Sequence, residues 1–157
     1  MPLVKWAHLH LALNHVPVLG TCFVLLLFLI GMVRRQEEMK RLSLWGFLFL
    51  GVFSMGLKYT GDWAFAALKG VNWLDPAIVE LHEAAADRAV MGTVLLAVLA
   101  SGDLFIGKKM RATVPWLNGI ILVTAVATLV LMILAANLGG DIRHTEVRRP
   151  VPAGSRP

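Results

Sequence analysis

Cysteine is almost missing from this chain: Cys22 stands alone among 157 residues. A single thiol excludes an internal disulfide, a thiolate zinc cluster and a covalent C-x-x-C-H haem attachment. Inside an apolar block, Cys22 reads as a small packing residue. The sequence also lacks a G-x-S-x-G elbow, an H-E-x-x-H helix and a phosphate-cradling loop. His82-Glu83 supplies only half of the zinc-protease signature, because Ala86 stands where its second histidine belongs. An electron-transfer or accessory subunit is therefore expected ahead of an autonomous enzyme. The net charge of +5 gathers into no continuous basic face, since lysine and arginine sit at the ends of apolar blocks, and a nucleic-acid partner is not expected. The first apolar stretch continues to Val33, too far for a removable signal, whose apolar region runs about 7–15 residues.

What fills the chain instead is hydrocarbon. Hydrophobic residues make up 57% and mean hydropathy is +0.70, above the roughly 45–50% apolar content of soluble proteins. They come in blocks separated by charged punctuation, and a bilayer core about 30 Å thick needs roughly 20 helical residues to cross. Four segments qualify, near residues 9–33, 44–68, 78–106 and 114–138. Backbone amides in lipid must bond within their own segment, and nothing alternates with the period of a barrel strand. The expected fold class is all-α, an integral membrane four-helix up-down-up-down bundle. Short connections make successive helices antiparallel neighbours. The bundle occupies residues 1–147, and the Pro- and Arg-bearing tail at 148–157 is expected to be disordered.

Charge then orients the bundle. The connections at residues 34–41 and 107–111 are short and basic and are expected on the cytoplasmic face. The middle connection, with Trp73, Asp75 and Pro76, and both termini go to the opposite, periplasmic face. Trp6, Trp45, Trp63, Trp73 and Trp116 fall near the expected helix ends, as interfacial anchors do.

Under this topology all five histidines (His8, His10, His15, His82 and His144) lie toward the outer side. His15, His82 and His144 come from three separate helices to about one depth. Imidazole is a common axial ligand of haem iron, and a four-helix bundle can hold a porphyrin between facing helices. Several imidazoles with a carboxylate would equally serve copper or zinc. His82, Ala85, Ala86 and Ala89 share a helix face that leaves room for a flat macrocycle, although small residues also let membrane helices pack closely. Glu83, Asp87 and Arg88 are ionisable groups at or inside the boundary, positioned to orient a ligand histidine, carry protons to a quinone or pair with Arg88 or Arg143. Asn14 precedes His15 and Pro17, where it could satisfy backbone groups that the proline frees or fix the His15 ring. Gly139-Gly140 is expected to end the fourth helix and lower Arg143 and His144 over the bundle mouth, with Arg143 near a haem propionate or Glu83. The first and third spans open with histidines and the second and fourth close with Gly61-Asp62 and Gly140-Asp141, a hint of two matched hairpins.

Taken together, Asn14-His15-Val16-Pro17, Leu81-His82-Glu83 and the segment from Gly139 to His144 resemble a family of small bacterial four-span membrane proteins. That family is similar in layout to haem-binding domains of the cytochrome b type. The resemblance implies the bundle and marks His15, His82 and His144. The expectation is one b-type haem near the periplasmic face of a bacterial inner membrane, held by two of these histidines and exchanging electrons with a quinol or a redox protein. Membership of a larger membrane complex as a structural or assembly subunit, and a copper or zinc site, are the alternatives. Cytochromes b that relay electrons across the membrane carry histidine pairs at both faces, and the inner face here has none.

Overall fold

The computed structural model describes residues 2–110 and 112–144. Five helices follow in order: α1 (Pro2–Leu13), α2 (His15–Val33), α3 (Glu37–Leu68), α4 (Pro76–Met110) and α5 (Pro115–Arg143). Four stretches are long and apolar enough to cross a membrane: Lys5–Val33, Glu37–Leu68, Pro76–Lys108 and Pro115–Ile142. Each outruns the segment expected from the sequence at one end or both. Hydropathy finds only the oily middle, whereas the helices extend into flanking turns that carry Lys5, Glu37, Lys40 and Lys108. The domain end at residue 147 and the tail at 148–157 lie outside the described residues.

α1 and α2 form a single span broken at Asn14. Pro17 has no N–H to give to the carbonyl four residues earlier, so the ladder skips one bond. The Asn14 amide still donates to the His10 carbonyl at 2.9 Å. Asn14 makes no side-chain cap bond to α2, and its Oδ1 is buried with no partner. The α2–α3 turn is stricter. The amides of Arg35 and Gln36 return to the carbonyls of Met32 and Gly31, a Schellman closure that places Arg35 at φ 54°. Pro76 and Pro115 open α4 and α5, where a missing N–H costs nothing, and Asp75 Oδ1 accepts from the Ala77 amide at 3.0 Å.

The first span packs on α3, α3 on α4, α4 on α5, and α5 returns to α2. The first span and α4 therefore stand diagonally across the bundle axis. The half toward the basic connections is solid: Phe28 and Phe47 meet edge to face at 5.8 Å, packed with Leu44, Leu96, Ile121 and Ala125. Side chains such as Phe105 (84% exposed) and Val123 (70%) point outward, as a lipid-facing surface requires.

Polar groups clasp the same end. Fully buried Asp103 accepts the Val114 amide at 2.8 Å. Glu37 Oε2 accepts from the amide and hydroxyl of Thr113 at 2.8 and 3.1 Å, and its Oε1 takes the Lys40 ammonium at 2.6 Å. Both carboxylates thus satisfy backbone or side-chain donors where α5 begins.

Candidate functional site

Toward the termini the bundle is hollow. Where the other half places Phe28, Phe47 and Ile121 on the axis, this half supplies Gly61, Ala86, Ala89, Ala135 and Ala136, and a cavity of about 450 Å³ remains. That size falls in the roughly 300–1,000 Å³ range of small-molecule and cofactor sites.

His82 enters from α4. A carbonyl can only accept, so its Nδ1–H donates to the Ala135 carbonyl at 2.9 Å. Gly139 makes that contact possible: a Cβ there would stand 3.1 Å from His82 Cε1, so the ring lies against bare backbone and reaches the carbonyl one turn away. His10 enters from α1 by the same device. Its Nδ1 lies 3.0 Å from Thr60 Oγ1. The Thr60 hydroxyl already donates to the Leu57 carbonyl at 2.6 Å, so the imidazole is the donor. A Cβ on Gly61 would stand 3.1 Å from His10 Cε1. Both tautomers are thereby set with Nδ1 protonated, leaving a lone pair on each Nε2. The two rings line one cavity from diagonal helices.

The expected site residues divide. His15, Asn14, Glu83 and Asp87 join His82 in lining the cavity, His15 as an exposed side chain. His144 does not line it: α5 runs unbroken through Gly139 and Gly140 to Arg143, and His144 follows as an exposed residue whose amide still donates to the Gly140 carbonyl. The glycines thus do not stop the helix, because a helix inside lipid must keep its backbone bonds. Gly139 makes room for His82, and nothing approaches the Cβ position of Gly140. The Arg143 side chain lies outside the described residues. Asp87 pairs with Lys58 of α3. Five residues along α4 from His82, it lies about 7 Å deeper.

His10, Lys58 and Ser54 were not marked by sequence. His10 belongs to a helix that begins seven residues before the expected span. Counted from Pro2 it stands two turns inside, as His82 does from Pro76.

Among the described residues no three His, Cys, Asp or Glu side chains converge to hold a metal ion. Two imidazoles from different helices would suit an iron whose equatorial positions a macrocycle already fills, whereas protein zinc and copper sites usually draw three or more side chains. The residues present therefore fit a haem better than a bare metal. No family model, curated protein or solved structure matches the chain.

Proposed function

We propose that this chain is a membrane-embedded, b-type haem electron-transfer protein whose axial ligands are His10 and His82. The carrying observation is the matched pair: two imidazoles on diagonal helices that line one cavity, each anchored through Nδ1 and each with the Nε2 lone pair left for a ligand. Thr60 and the Ala135 carbonyl hold the tautomers and raise ligand basicity, as outer partners of metal-bound histidines do. Gly61 and Gly139 let the rings draw back against neighbouring helices, which opens the axis to a flat molecule. Bound haem would supply reversible one-electron chemistry.

With the basic connections in the cytoplasm, the cavity falls in the outer half of a bacterial inner membrane and both termini are periplasmic. Among the described residues no Cα of α1 comes within 8 Å of one in α5. An opening to lipid on that side of the bundle would favour a membrane-soluble quinol as electron donor over a soluble redox protein.

The test is an absorption spectrum of protein purified from membranes, with porphyrin and metal analysis. A Soret band that shifts and sharpens on dithionite reduction is expected. Full-length, folded protein that neither carries haem nor takes it up when haem is added overturns the proposal.

A further inference from the structure

Among the described residues, Lys58 is the one lysine or arginine that lines the cavity. An ammonium inside a membrane span is costly and normally serves a partner or a pathway. Its ion pair with Asp87 leaves both side chains more than a third uncovered, at 37% and 47%, so the ammonium keeps surface on which a ligand can bond. A second observation points to a ligand. Ser54 lies one turn from Lys58 on the same face of α3, lines the same cavity, is 3% exposed, and has a hydroxyl oxygen with no hydrogen-bond partner. Buried polar groups are rarely left unpaired. Lys58 and Ser54 together offer an ammonium and a hydroxyl to one acceptor, in a cavity where Asp62, Glu83 and Asp87 would repel an uncompensated anion.

We propose that Lys58 and Ser54 form a carboxylate-binding subsite, and that Asp87 occupies the Lys58 ammonium until a ligand carboxylate replaces it. Resting on the haem reading, this assigns the subsite to a porphyrin propionate. The exchange swaps one carboxylate for another on the same ammonium and leaves the Asp87 carboxylate without it, so Asp87 competes with the ligand. Asp87 is a placeholder with a definite consequence: removing its charge frees Lys58 for the ligand.

The experiment titrates ligand-free full-length protein, in detergent, with haem and with haem dimethyl ester, whose propionates are blocked, following the Soret band. Wild type is expected to bind haem about tenfold or more tightly than the ester, the size of one charge-assisted hydrogen bond. K58M should weaken haem binding to the level of the ester and leave the ester unchanged. D87N should tighten haem binding, and K58M/D87N, which restores the wild-type net charge, should still fail to discriminate. S54A should weaken haem by a smaller factor. Equal affinity of wild type for both ligands, or a D87N protein that binds haem no more tightly, overturns the subsite while leaving the haem site standing. The D87N and ester comparisons decide the matter even if K58M does not fold. Failure of wild type to bind either ligand overturns the haem reading itself.

Discussion

An imidazole can ligate a metal only through a nitrogen with a free lone pair, so the partners of Nδ1 decide what His10 and His82 can do. Gly61 and Gly139 set those partners by letting each ring sit against helix backbone. Gly139→Leu should therefore push the His82 ring from its place and cost most of the haem, measured as Soret absorbance per protein, with helicity by circular dichroism unchanged. Thr60→Val removes the acceptor that fixes the His10 tautomer and should weaken haem binding roughly 10–100-fold, the range seen when outer partners of metal ligands are lost. His82 and its neighbours Glu83 and Asp87 were legible because they interrupt an apolar run. His10 counts among the outer histidines but is not singled out by the sequence, because the expected span begins at residue 9 and puts it at the rim, whereas α1 begins at Pro2 and carries it inside. Lys58 also interrupts an apolar run, inside the expected second span, but its pairing was not legible: Asp87 is 29 residues away and only helix packing joins them.

At the scale of elements, the ends of the helices carry the specificity that lipid cannot supply. Apolar packing against hydrocarbon tails does not choose one helix neighbour over another, so polar contacts and close backbone approach must. Glu37 binds Thr113 across 76 residues of chain and ties the start of α5 to α3. Glu37→Ala should lower stability by about 2 kcal/mol, as loss of charge-assisted hydrogen bonds does, and speed protease cleavage in the connection at 107–113, with haem content unchanged. Arg35 adopts a left-handed conformation that costs a non-glycine residue roughly 1–2 kcal/mol. Arg35→Gly should recover part of that and raise the melting temperature. The helices were legible from apolar block length, but their ends were not, since an amphipathic last turn costs little in hydropathy. The glycine pair at 139–140 misled for a related reason: glycine stops a helix in water, while in lipid it serves packing.

The whole molecule divides into a solid half and a hollow half, and this division follows residue size along the axis. Phenylalanine, leucine and isoleucine fill the end with basic connections, while alanine and glycine leave space at the other. Topology should follow the basic connections: with Cys22 replaced by serine, a cysteine introduced by Asn72→Cys should react with a membrane-impermeant maleimide added to intact cells, and one introduced by Gln36→Cys should react only after lysis. The four-span bundle could be read from composition because hydrocarbon thickness dictates span length. The cavity could not, because it depends on which faces turn inward. The central claim, iron between His10 and His82, is tested most directly by measuring haem per protein in wild type and in His10→Ala, His82→Ala and His144→Ala after reconstitution. The account predicts near-complete loss for the first two variants and wild-type content for the third. Full haem in His10→Ala, or its loss in His144→Ala, would contradict it.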